Sequence, residues 1–238
     1  MVRKLLAAAG IFASLLLLRS TTAMAGTYLE GAAGYDISWP QCGGPYPGLP
    51  RGQFGIVGVN NGRPYTFNSC FPDELAWAGS SGIQPTVYVN LAYGETDAGP
   101  RRCEEQDHGC LAYNWGFGAA RYAFDLAWES TGGEAQTIPI WWLDVETENT
   151  WSDDQGLNAQ VIQGAIDYLE FQAKTPGVYS TGHQWNLIAG GFAPNVLNWV
   201  AGAYDENDFD KCGQPLWPGG RIVMFQYLTG DYDQNVPC

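Results

Sequence analysis

The alternation of strand-like apolar runs with helix-type segments constrains this chain more than any other feature. Seven runs read as strands: "GYDISWP" (34–40), "FGIVGVNN" (54–61), "QPTVYVNLAY" (84–93), "IPIWWLDVE" (138–146), "PGVYST" (176–181), "NWVAGAY" (198–204) and "RIVMFQYL" (221–228). Pro72 stands at a helix start, where its missing N–H does no harm, and "DELAWAG" continues that helix. In 114–130, Trp115, Ala119, Ala123, Leu126 and Ala127 fall on one helical face. In 157–171, Leu157, Val161, Ala165, Ile166 and Leu169 do the same. Repeated βα units predict a parallel sheet, either doubly wound or closed into a barrel. A nucleotide-binding doubly wound sheet carries a Gly-rich phosphate turn after its first strand. Here the first strand runs into "SWPQCGGPYPG", with no GxGxxG. The expected fold is therefore α/β, a single irregular (β/α) TIM-type barrel over 26–238 with disulfide-tied loops.

Residues 1–25 read as a signal peptide rather than as part of that fold. A basic start with Arg3 and Lys4 precedes a short apolar run, and Ala23-x-Ala25 is a small-residue cleavage signature. The run is short for a full membrane span, so no stable membrane anchor is expected. The formal net charge is −14, and the charged residues that cleavage would remove, Arg3, Lys4 and Arg19, are all basic. Such a chain lacks the basic patches that nucleic acid requires. In an exported chain, Cys42, Cys70, Cys103, Cys110, Cys212 and Cys238 read as three disulfides. The Cys103 and Cys110 pair lies within one loop, Cys42 and Cys70 follow the first two strands, and Cys212 is left to tether Cys238. No CxxC occurs and the only histidines are His108 and His183. No metal site and no cofactor are expected. A secreted or cell-wall-associated monomer is the expected state.

In "PIWWLDVETENTW" (139–151) an apolar strand ends in two carboxylates, Asp144 and Glu146. Residues two apart on a strand share a face, with Cα atoms roughly 6.7 Å apart. Barrel enzymes build their sites at this C-terminal strand end. Asp36 and Ser38 share a face of the first strand, and "QYLTGDYDQNV" puts Asp231 and Asp233 just past the last. Each acid alone has an ordinary explanation: a helix cap for Asp144, a buried turn for Asp36, a solvated loop for Asp231 and Asp233. Their convergence on one rim points to glycoside hydrolysis. That reaction needs one protonated acid for the leaving oxygen and a negative group facing an oxocarbenium-like transition state. Like charges sharing a cleft raise each other's pKa. Asp144 is thus expected to hold Glu146 protonated, and Asp144→Asn to move the alkaline limb of activity to lower pH. Trp141, Trp142, Tyr179 and Tyr204 are candidates for packing on sugar faces. Other chemistries fit less well: there is no GxSxG elbow, His183 has no evident nucleophile beside it, and the DxxDxDxE barrel signature is absent.

"GYDISWPQ", "WLDVE", "GVYST..QWN", "WVAGAY" and "FQYLTGDYDQN" occur in that order. Together they resemble the Chalaropsis-type lysozymes, glycoside hydrolase family 25. The resemblance implies an irregular β/α barrel. It also implies cleavage of the β-1,4 bond between N-acetylmuramic acid and N-acetylglucosamine in peptidoglycan, a cell-wall polysaccharide. By position, Glu146 would be the proton donor. Asp144 would be the partner that orients the acetamido group or stabilises charge. Asp36 would be the first-strand acid, and Asp233 with Asn235 the closing motif. Gln226 matches a strand-end Gln, and Trp142, Tyr179 and Tyr204 stand as substrate-binding candidates beside it. The chain departs from the family's usual pattern with "NNGRPYT" after the second strand and "YVN" (88–90) at the third. The alternative function is a catalytically weak barrel that binds cell-wall glycan without cleaving it.

Overall fold

The computed structural model describes residues 32–230 and 232–238. The signal-peptide reading (1–25) and Asp231 lie outside the described residues. Eight strands close into one barrel in sequence order. They are β1 (Gly34–Ile37), β2 (Phe54–Gly58), β3 (Thr86–Asn90), β4 (Ile140–Asp144), β5 (Thr175–Ser180), β6 (Leu197–Ala203), β7 (Arg221–Thr229) and β8 (Tyr232–Pro237). The helices are α1 (Phe71–Gly79), α2 (His108–Ser130), α3 (Gln155–Phe171) and α4 (Gly182–Ile188). The barrel is irregular in two ways. No α-helix separates β1 from β2 or β6 from β7, where only short 3₁₀ turns occur. And β8 closes the ring antiparallel to both β7 and β1, while the other pairings are parallel.

Two expectations change here. Asp233 does not follow the last strand; it lies within β8, which the sequence reading took for a tail. Cys110 does not lie in a loop either, because α2 begins at His108, six residues before the expected start. Asp107 caps that earlier start by accepting from the Cys110 amide at 3.0 Å. The cysteines pair as expected, 42–70, 103–110 and 212–238.

Period-two alternation sorts the strand residues into two cores. On β4, Ile140 and Trp142 join Phe54, Ile56, Leu197, Trp199 and Met224 inside the barrel. Trp141, Leu143 and Val145 face outward into the layer shared with the helices. The helical layer is tightest where α2 crosses α3. A Cβ on Gly116 would lie 1.8 Å from the Val161 carbonyl oxygen, and one on Gly164 would lie 2.1 Å from that of Tyr113. Only glycine permits that approach, and it presses the helices against β4 and its neighbours. Apolar side chains thus fill the barrel's lower interior. The next inward positions toward the strand C-termini are polar, and those positions form the site.

Candidate active site

Asp144 is the next inward residue after Ile140 and Trp142 on β4. Asp36 occupies the inward position on β1 and pairs in register with Asp233 on β8. With Glu146, Tyr88, Tyr179, Trp199 and Gln226 they line one cavity of about 80 Å³. The four carboxylates expected at one rim therefore converge.

Hydrogen bonds fix two of these acids. Asp36 Oδ2 accepts from Gln226 Nε2 at 3.0 Å and from Asn235 Nδ2 at 2.7 Å. Tyr179 donates its hydroxyl to Gln226 Oε1 at 2.6 Å, which fixes the Gln226 amide. Asp144 Oδ2 accepts from Asn90 Nδ2, the side chain in register beside it on β3. Asn90 is itself pinned: its amide donates to Asn60 Oδ1 at 3.1 Å, and Asn60 Nδ2 donates to its carbonyl at 2.9 Å. The other Asp144 oxygen is buried and finds no N–H or hydroxyl donor.

Asp144 and Glu146 line the same cavity, and the Glu146 charge raises Asp144. Burial is the foremost cause of the raised pKa throughout the cluster. It pushes Asp36 up to about 7, helped by the Asp233 charge. Burial also pushes Glu146 up to about 7, with the Glu148 charge the next contributor. Asp144 is held well above the usual carboxylate range by burial and then by Glu146, and burial raises Asp233. The repulsion expected between Asp144 and Glu146 acts at Asp144, while at Glu146 burial and then the Glu148 charge come first.

The substrate-binding candidates separate. Tyr179 lines the cavity. Gln226 lines it too, but spends its amide on Asp36 and Tyr179. Asn235 is fully buried and positions Asp36. Tyr204 is 92% exposed just beyond β6, available to a ligand outside the cavity. Trp142 and Trp141 are fully buried in the two cores and present no surface to a sugar, so they are corrected to structural residues. His183 is exposed on α4 and does not line the cavity. The residues not singled out from sequence are Tyr88, Asn90, Glu148 and Trp199. Alternation on β3 was the available signal, because it puts Tyr88 and Asn90 on the face that Asp144 shares.

A family model described as Lysozyme-like protein 1 matches residues 118–209. That stretch contains Asp144 and Glu146 but neither Asp36 nor Asp233. "Probable GH family 25 lysozyme 4" of Dictyostelium discoideum is 33% identical over 78 residues, covering 30% of this chain. The match spans 36% of that relative's length. Among solved structures, the bacterial lysozyme from Streptomyces coelicolor aligns with a TM-score of 0.57 at 18% identity, over 87% of this chain and 92% of that one. The catalytic domain of endolysin ply40 from bacteriophage P40 of Listeria monocytogenes also gives 0.57, at 15% identity over 87% and 93%. At these identities the structural likeness speaks to the fold. In sequence over residues 118–209, and in fold over most of its length, the chain resembles lysozymes, with one of glycoside hydrolase family 25 among its curated relatives.

Proposed function

We propose that the protein is a secreted glycoside hydrolase that cleaves the β-1,4 bond between N-acetylmuramic acid and N-acetylglucosamine in peptidoglycan. The observation that carries the reading is the convergence of Asp144 and Glu146 with Asp36 and Asp233 on one cavity. Glu146 is the less buried member of the pair and donates its proton to the leaving glycosidic oxygen. Asp144, held by Asn90, orients the acetamido group or faces the positive charge that develops on the sugar ring. Asp233 adds negative potential opposite the same charge, and Asp36, held by Gln226 and Asn235, adds to it as it ionises. Water completes the hydrolysis. Three disulfides suit an oxidising compartment, as does the signal-peptide reading. Keeping several buried carboxyls costs stability, which speaks against a barrel that only binds glycan.

The pH dependence follows from the shifts. Glu146 acts as an acid only while protonated, so activity falls as pH rises through about 7. The acid limb reports ionisation of the remaining carboxyls as a coupled group. The profile is a bell with its optimum on the acidic side of neutrality. The test is clearance of a cell-wall suspension, followed by identification of the sugar at the new reducing end. N-acetylmuramic acid at that end supports the assignment. N-acetylglucosamine, or no new reducing end, overturns it.

A further inference from the structure

A second groove opens beside the catalytic cavity on the same rim. Its volume is about 330 Å³, within the range of ligand pockets, and Arg63, Pro64, Ala92, Trp115, Glu148, Asn149 and Thr150 line it. The segments after β2, β3 and β4 build its walls, and α2 contributes Trp115. Two links join it to the catalytic pair. The Glu148 charge acts on both Asp144 and Glu146. And the segment carrying Arg63 starts beside Asn60, which pins Asn90 against Asp144.

The groove is built rather than incidental. Trp115 is half-buried, its Nε1 donates to the Ala92 carbonyl at 3.0 Å, and its ring lies 4.6 Å from that of Tyr65. Tyr65 donates its hydroxyl to the Trp115 carbonyl at 2.9 Å. It is held at φ 56°, a left-handed conformation that a bulky residue adopts only when its surroundings impose it. That turn sets Arg63 and Pro64 at the groove. In a chain of net charge −14, Arg63 has no ion-pair partner among the described residues, although Glu148 lines the same groove.

We propose that this groove is a ligand subsite for a carboxylate carried on the glycan strand. Arg63 supplies the counter-charge, Trp115 and Pro64 the apolar wall, and Glu148 an acceptor for an amide N–H near that carboxylate. The ligand chemistry is an N-acyl amino acid or short acidic peptide projecting from a sugar in the catalytic cavity. A guanidinium can bind such a carboxylate with two parallel hydrogen bonds. The proposal rests on the peptidoglycan reading of the catalytic cavity and deepens it.

The test is binding, in a Glu146→Gln background that keeps the glycan intact. The probes are purified peptidoglycan and the same material with its carboxyls converted to methylamides. The parent binds untreated material roughly 5–10-fold more tightly than amidated material, the scale of one partly exposed charge-assisted contact. Adding Arg63→Gln removes that preference and leaves binding to amidated material unchanged, whereas Arg63→Lys restores part of it. Arg221→Gln makes the same charge change at the opposite end of the barrel and keeps the preference. If Arg63→Gln weakens binding to both preparations equally, or to neither, the subsite is overturned while the peptidoglycan reading stands. If the parent binds neither preparation, the peptidoglycan reading fails and the subsite fails with it. An amidase that removes the peptides also frees the sugar's own carboxyl, so a preference lost after that treatment assigns the site to a peptide carboxylate, and one that persists shows that the site accepts the sugar's acid as well.

Discussion

Glu146 and Glu74 are two carboxyls that burial pushes up to about 7, and only one of them belongs to a site. Glu74 is fully buried on α1, outside the barrel. Its Oε2 accepts from Asn68 Nδ2 at 2.6 Å, and Asn68 also donates to the Gly58 carbonyl at 3.0 Å. The Glu74 carboxyl thus ties the turn after β2 to the helix that follows. It has one polar partner, borders no cavity described above, and shares no cavity with a second carboxyl. Glu146 has a cavity, a second carboxyl from its own chain segment in that cavity, and further acids on neighbouring strands. A raised pKa reports burial; convergence of groups from separate strands on an open space reports chemistry.

The sharpest way to break this contrast is to remove each proton in turn. Glu146→Gln keeps the shape without the titrating group, and the expected loss in kcat is at least ~100-fold, the scale of acid–base assistance. Glu74→Gln keeps the bond from Asn68 and leaves kcat within about twofold, because the amide oxygen still accepts there. A comparable loss in both variants, measured as initial rates on cell-wall suspensions, would erase the distinction. Asp144→Asn comes next, with a loss of at least ~10-fold, since a neutral amide cannot stabilise the developing positive charge.

Smaller effects separate the causes of the shift at Glu146. Glu148→Gln removes a neighbouring charge that raises Glu146, so the alkaline limb of the kcat profile moves to lower pH, by a few tenths of a unit or more. Asp144→Asn shifts that limb less, because Glu148 is the foremost charge raising Glu146. The reverse order would make Asp144 the main influence. Stability gives the smallest signal. The folded-state pKa of Glu74 lies above its unfolded value of 4.5, so the folded protein holds this proton more firmly. Its contribution is fully present below about 4.5 and is lost as pH rises through about 7. Wild-type Tm therefore falls between pH 5 and 8. Glu74→Gln flattens that fall by roughly 2–4 °C, the shift about 1 kcal/mol produces in a chain of this size.

Much of the barrel was legible because its strands carry two periodicities at once. The inward series Ile140, Trp142, Asp144 and the outward series Trp141, Leu143, Val145 can be separated on paper. What the sequence hid were features with weak local signals. "YDQNVP" reads as a polar tail, and it becomes β8 only through pairing with β1 and β7, a long-range choice that no local pattern encodes. The start of α2 was hidden for a similar reason, because Asp107 caps it in the middle of a polar segment. Among the aromatic candidates for packing on sugar faces, Tyr179 does line the cavity. The depth of Trp142 below the rim depends on barrel tilt and packing, which sequence spacing does not give. Asn90 was missed because its role arises from register with Asp144 on another strand.

The closing strand has a consequence for when the site can exist. Asp36 is nearly the first described residue and Asp233 and Asn235 are nearly the last, yet they meet side by side. A ribosome that has made every residue through β7 has produced most of the barrel but left Asp36 without Asn235 and the ring without its seam. The cavity therefore assembles only after the final segment has been made. A proteolytic clip that frees residues 232–237 would dismantle it, and the Cys212–Cys238 disulfide fastens that last segment to the body of the protein.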